Sequence, residues 1–244
     1  MRLFHFNFKR PIFQIDMDLL EKAEQIDKYR TACSRSELNR LARSKHTYSV
    51  FLSESPAPLQ RLADSVDLTR GSKIVILHPS ADSGYPHTRP GNLICMPAGF
   101  PAASASKTLL HEACHLHQRT HESKWISYSV HQGWWPIEAE RIPERWRDRC
   151  RINPDTLSQP FWSWQEYYVP LPLFKNEQSP SMSECDVRWY DLRNGALYKV
   201  PPLSFTKRYG SIGQPEHPYE VSAIEFSDRG IQTKEALMNV LSHE

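Results

Sequence analysis

The sequence of 244 residues has no run of 18 apolar residues, so nothing in it reads as a transmembrane helix. Its first ten residues carry His5, Asn7 and Lys9 among the aromatics. They lack the apolar core and the small-residue cleavage site of a signal peptide. The five cysteines (Cys33, Cys95, Cys114, Cys150 and Cys185) form no C-x-x-C pair, and their odd number suits no disulfide framework. They read as free thiols in a reducing compartment, and the expected location is cytoplasmic, specialised secretion aside. Charge of one sign is also missing. Lys+Arg number 30 against Asp+Glu 28, a formal charge of +2, so no basic field calls for nucleic acid or an anionic membrane. Glycine is scarce, 9 residues against 19 prolines, which favours stiff and extended connections. No internal repeat and no low-complexity tract is visible.

What remains is a somewhat polar globular chain, 39% hydrophobic and 24% charged, long enough for one large domain or for two lobes around a cleft. Residues 1–15 alternate aromatic and polar residues and suit a strand or extended arm. Leu19, Leu20, Ala23, Ile26 and Tyr29 have helical spacing over residues 16–32, with Asp16 or Asp18 as the start. Ser34-Arg-Ser-Glu37 reads as a capping box for a second helix. Thr47–Leu52 suits a strand and Leu59–Val66 a short helix. Lys73-Ile-Val-Ile-Leu77 is the best strand, a β-branched run that predicts a central position in its sheet. Leu93–Met96 is a short strand, and Ser104 or Ser106 is the expected N-cap of the helix that follows.

That helix carries Thr108-Leu-Leu-His111-Glu112-Ala-Cys-His115-Leu-His-Gln118. Leu109, Ala113 and Leu116, widened by Leu110 and Cys114, form a packing face. Thr108, His111, His115 and Gln118 share another side. Histidines at i and i+4 can share one metal ion, and Glu112 then stands within reach of a water on that ion. Cys114 reads as a packed thiol.

This H-E-x-x-H pattern resembles the zinc metallopeptidases of the zincin superfamily. The resemblance implies a zinc cofactor held by His111 and His115, with Glu112 as general base for a zinc-activated water. It also implies an α+β, zincin-like fold. Residues 1–120 would form an N-terminal lobe with a helical scaffold, a mixed sheet and the active helix. Residues 121–244 would form a C-terminal lobe of helices, a hairpin and irregular structure. In that family the strand before the active helix is often a sheet edge that pairs with an extended peptide, which would place Leu93–Met96 along the cleft.

Catalytic zinc takes three protein ligands and a water, so a third ligand must come from elsewhere. Tyr219-Glu220-Val-Ser-Ala223-Ile-Glu-Phe226 resembles the E-x-x-A-x-x-F stretch of gluzincins. It implies Glu220 as the ligand and Ala223 as the residue that lets the two helices pack closely; Ile224 stands where an acidic residue is common. The stretch between His115 and Glu220, longer than in compact gluzincins, would be an insertion. Glu138 and Glu140 are rivals at shorter spacing, and His117, His121 and His131 are further candidates. His121 has the metzincin spacing, but Gln118 occupies the place of the required glycine. Tyr209 is the first candidate for stabilising the oxyanion, with Tyr198 and His217 also open.

Every tryptophan lies between residues 125 and 189, and this clustering reads as core. Pro136–Arg149 has helical spacing but carries Pro143 inside it, so it is expected as a kinked helix or as two short pieces. Phe161–Pro172 reads as extended. Arg193-Asn-Gly195 between two aromatic runs predicts a hairpin. Pro218 suits N1 of a helix and Gly230 its C′ position, and residues 232–242 form a last helix. The expected activity is hydrolysis of peptide bonds in a peptide or protein substrate, with no nucleic-acid or membrane partner. The alternatives are a zinc hydrolase of non-peptide amides and a binding module without catalysis.

Overall fold

The structure, a computed structural model, describes residues 12–43, 49–51 and 53–243. The arm expected over residues 1–15 lies outside the described residues as far as residue 11; from Ile12 the chain is helical. The chain is a mixed α+β protein. Three short helices open it: α1 (Ile12–Asp27), α2 (Tyr29–Arg35) and α3 (Glu37–Ala42). Lys28 breaks the expected single helix, with φ 56°. The break lets Asp27 accept from the Tyr29 amide while its carboxylate also pairs with Arg89. The capping box does not form: Ser36 stands before α3 without a side-chain cap, and Ser34 donates to the Thr31 carbonyl.

After α4 (Ala57–Ser65) come β1 (Lys73–Leu77), β2 (His87–Arg89) and β3 (Leu93–Pro97), which form a sheet in the order β1-β3-β2. β1 and β3 are parallel, and β2 runs antiparallel to β3. The predicted positions are therefore corrected. Among the three strands β3 is central and β1 lies outside it; along the other side of β1 Val50 bridges Leu77, the Phe51 amide donates to the Ile76 carbonyl and the His78 amide to the Ser49 carbonyl. Most of the segment expected as a strand at Thr47–Leu52 lies outside the described residues. The β-branched run of β1 is explained by burial on both faces rather than by centrality. Ile74, Ile76, Ile94 and Met96 pack under Leu109 and Leu116, while Val75, Leu77, Leu93 and Cys95 pack against Leu20 and Ala23 of α1.

The long helix α5 (Ala102–Thr120) begins directly after Pro101, before the serines expected to cap it. Its first turn, Ala-Ala-Ser-Ala, is built from good helix formers, and proline just before it suits a helix start. α6 (Glu122–His131) follows. A second, antiparallel sheet then runs β4 (Trp134–Pro136), β5 (Trp162–Trp164), β6 (Tyr168–Phe174), β7 (Cys185–Asp191) and β8 (Leu197–Tyr198) in chain order. The helical spacing of Pro136–Arg149 forms as two short pieces on either side of Pro143, a 3-10 turn (Ala139–Arg141) and α7 (Glu144–Arg147), while Trp134–Pro136 pairs with Trp162–Trp164. The β7–β8 hairpin turns through Gly195 at φ 72°, as the Asn-Gly pair predicts.

α8 (Leu203–Tyr209), α9 (Pro218–Asp228) and α10 (Lys234–His243) close the chain. Pro218 occupies the first turn of α9, and Gly230 follows its end with φ 65°. Trp125, Trp134, Trp162, Trp164 and Trp189 are buried with Phe205, Tyr219 and Phe226 in one aromatic cluster that ties α6, the second sheet, α8 and α9 together. The five cysteines are free. Among the described residues no helix is long and apolar enough to cross a membrane.

Candidate metal centre

The seam between α5 and α9 builds the site. Ala113 and Ala223 are fully buried in the shared cluster, together with Cys114 and Phe226. Small side chains at both places let two helices approach closely. Beside that contact, His111 and His115 of α5 meet Glu220 of α9. The two Nε2 atoms are 3.1 Å apart. Glu220 Oε2 lies 3.3 Å from His111 Nε2 and 3.5 Å from His115 Nε2. An ion bound tetrahedrally at about 2.0–2.1 Å holds its ligand atoms about 3.3 Å apart, and the observed triangle has that size. Two imidazoles and a carboxylate suit zinc and other first-row divalent ions.

The surroundings fix each ligand. Gln118 Nε2 donates to the Tyr219 carbonyl at 3.1 Å, which turns its Oε1 toward His115 Nδ1 at 2.7 Å. Nδ1 therefore carries the proton, and the Nε2 lone pair is free to face the ion. Asn153 donates to the other Glu220 oxygen, Oε1, at 2.6 Å. Burial alone would raise the Glu220 carboxyl; His115 and His111 outweigh it and hold the group well below the usual carboxylate range. For His115, burial lowers the imidazole, but Glu220, Asp155 and Glu112 prevail and push it up to about 10. Three carboxylates around two imidazoles thus ask for positive charge at this point, which the ion would supply.

Glu112 is buried, and its Oε2 has no hydrogen-bond partner. Burial first, then Asp155, pushes its carboxyl well above the usual range. A buried carboxylate oxygen without a partner is uncommon, and it marks a place where a water or an ion would fit. A pocket of about 290 Å³ opens on these groups, walled by Thr108, Phe100, Met182, Ile152 and Ile224. Cys114 faces the core instead, and burial pushes its thiol up to about 12.

The other candidates lie elsewhere. Glu138 and Glu140 are exposed, and Glu140 faces Arg147. His117 accepts the Trp125 indole N–H on Nδ1 at 2.9 Å and stacks on His121. His131 is exposed and bonds the Ser127 carbonyl. Tyr209 is not brought to the metal ligands. Its hydroxyl accepts from Trp134 Nε1 at 3.2 Å, and its ring packs on Phe205 and Trp164. Tyr198 is exposed on β8. His217 caps α9: Nδ1 accepts from the Tyr219 amide and Nε2 donates to the Gln159 carbonyl, so both nitrogens are engaged.

Comparison with protein families, curated proteins and solved structures finds no match. The site therefore speaks through its own geometry. Asn153 and Asp155 escaped the sequence reading. Asn153 caps a 3-10 turn (Pro154–Thr156), its Oδ1 accepting from the Asp155 amide. No local signal announced that the same asparagine reaches Glu220 across 67 positions of chain.

Proposed function

We propose that the protein is a zinc-dependent hydrolase of the zincin type, gluzincin-like in its ligands, that cleaves amide bonds, peptide bonds first among them. The observation that carries the reading is the convergence of His111, His115 and Glu220 from two helices to within 3.5 Å, with Glu112 buried beside them. Zinc at this point would supply Lewis acidity, activating a water and polarising the carbonyl under attack. Glu112 takes a proton from the attacking water and delivers it to the leaving nitrogen as the C–N bond breaks. One water is consumed, and an acid and an amine leave. Gln118 holds His115 in the ligating tautomer, and Asn153 fixes the Glu220 carboxylate.

The test is zinc content by mass spectrometry, with hydrolysis of a peptide library, for wild type, Glu220→Ala and Glu112→Gln. The expected result is one zinc per chain in wild type and Glu112→Gln, loss of zinc in Glu220→Ala, and cleavage by wild type alone. Wild type that takes up no zinc when it is supplied would overturn the reading. So would zinc uptake that is indifferent to Glu220→Ala.

A second reading, hydrolysis of a non-peptide amide, draws support from the sheet edge beside the pocket.

A further inference from the structure

β2 is the sheet edge on the side of the pocket, and His87 of this strand lines the pocket wall. An antiparallel edge strand in this place is where an extended peptide would add, through the outward-facing N–H and C=O groups of alternate residues. Along Tyr85-Pro86-His87-Thr88-Arg89-Pro90 those residues are Pro86, Thr88 and Pro90, since His87 and Arg89 flank Thr88 in the ladder to β3. Two of the three have no N–H to give. The third is spent. The Thr88 amide donates to Asp155 Oδ1 at 2.9 Å, and the Thr88 carbonyl accepts from Arg119 Nη2 at 3.0 Å. Asp155 also takes the Thr88 hydroxyl, and Arg119 donates to it from Nε at 2.9 Å. Thr88 and Asp155 are both buried. The edge is capped as a strand would cap it, but by side chains of this same chain.

Prolines and covering groups are how edge strands are kept from pairing. Here the protected edge borders the very pocket that would otherwise use it. The pocket is also small. At about 290 Å³ it stands at the lower bound of ligand pockets, roughly 300 Å³. An extended strand of six residues spans about 20 Å and needs a groove rather than a pocket.

We infer that the site takes its substrate without strand addition: the scissile amide belongs to a compact acyl group, held by the pocket walls rather than by the backbone of β2. This inference rests on the zinc-hydrolase reading above. The compact amide has two sources, a free small molecule or the terminal or side-chain amide of a larger one.

Hydroxamates test it, because they anchor on zinc and report binding without turnover. Affinities for the zinc-loaded full chain are compared for acetohydroxamate, single N-acyl-aminoacyl hydroxamates, a degenerate pool of six-residue peptidyl hydroxamates, and the same pool with N-methylated backbone amides. The expected result is that extension from one residue to six changes affinity less than ~3-fold and that N-methylation has no effect, since the Thr88 carbonyl that a peptide N–H would reach is already taken by Arg119. A gain of ~100-fold or more with length, abolished by N-methylation, overturns the inference while leaving the metal site intact. Failure of every hydroxamate to bind zinc-loaded protein overturns the hydrolase reading and this inference with it. Turnover of short N-acyl amides then separates the sources. Cleavage of free amides identifies a small-molecule substrate, and cleavage confined to amides at chain ends or on side chains identifies the macromolecular source. Both sources support the compact-amide inference.

Discussion

Replacing Gln118 by methionine removes one side chain that does two jobs. Its Oε1 accepts from His115 Nδ1 at 2.7 Å, and its Nε2 donates to the Tyr219 carbonyl at 3.1 Å. Gln118 and His115 are each about 1% exposed, so water cannot take its place. Methionine keeps the volume and fills the gap, leaving the buried His115 Nδ1–H unpaired and the Tyr219 carbonyl with its helical partner alone. The stranded donor costs about 1–3 kcal/mol, and the fold should lose at least that much. The metal site suffers separately. Without an acceptor at Nδ1 the imidazole is no longer held in the ligating tautomer, and loss of such an outer partner weakens metal binding about 10–100-fold. Zinc affinity is read by competition with a chromophoric chelator, and stability by urea unfolding of the metal-free protein. Gln118→Glu separates the two effects. It keeps an oxygen for His115 and gives up the donor to Tyr219, so zinc affinity should stay at or above wild type while stability falls by about 1–3 kcal/mol. Gln118→Met that binds zinc within ~2-fold of wild type would refute the argument, because the ring would then be oriented by something else.

His217 is buried, and burial lowers its imidazole to about 4. A folded value below the ordinary 6.5 or so gives stability that is full above pH ~6.5 and is lost as pH falls through about 4, a change of roughly 3 kcal/mol. His217→Asn, which retains an oxygen to cap α9, should flatten urea-unfolding stability over that window, leaving the slope due to His117, which burial also lowers to about 4. Arg89 is 1% exposed and pairs with Asp27 at 2.7 Å and Glu24 at 3.1 Å, tying α1 to the first sheet. Arg89→Met takes the buried positive charge from both carboxylates, which keep their bonds to Tyr29, Arg30 and Thr31, and should cost about 3–5 kcal/mol by urea unfolding. Tyr209→Phe should leave zinc content unchanged and any measured hydrolysis within ~3-fold, while loss of the Trp134 hydrogen bond costs about 0.5–1.5 kcal/mol; a large loss of turnover would bring Tyr209 into the site.

The helix that carries the candidate metal site was legible because its information is local. His111 and His115 share a helix face through periodicity alone, and the packing face of Leu109, Ala113 and Leu116 follows from the same count. Glu220 was reachable because ligand number demanded a third donor and Ala223 marked a helix made for close contact. Sheet order was not legible. The strand that moves Leu93–Pro97 to the centre is only three residues long and lies in a turn-rich, proline-flanked stretch where alternation has no room to register. Over Pro136–Arg149 the local break at Pro143 was legible and two short pieces form around it, but the pairing of Trp134–Pro136 with Trp162–Trp164 was not, because such pairing is set by partners distant in sequence. Tyr209 failed for a related reason. Nearness to Glu220 along the chain says nothing about direction, and the aromatic core, with more surface to bury, claimed the ring.

The seam between α5 and α9 has a consequence for how the molecule is made. Its two halves are synthesised far apart in time, since Glu220 follows His115 by 105 positions of chain. A nascent chain holding α5 alone owns His111, Glu112 and His115 but not Glu220, so on the proposed reading its ligand set is still open. On that reading metal would favour the folded form by mass action, in proportion to the logarithm of its concentration over its dissociation constant. Zinc supply would therefore govern how much of the protein persists folded as well as how much of it works.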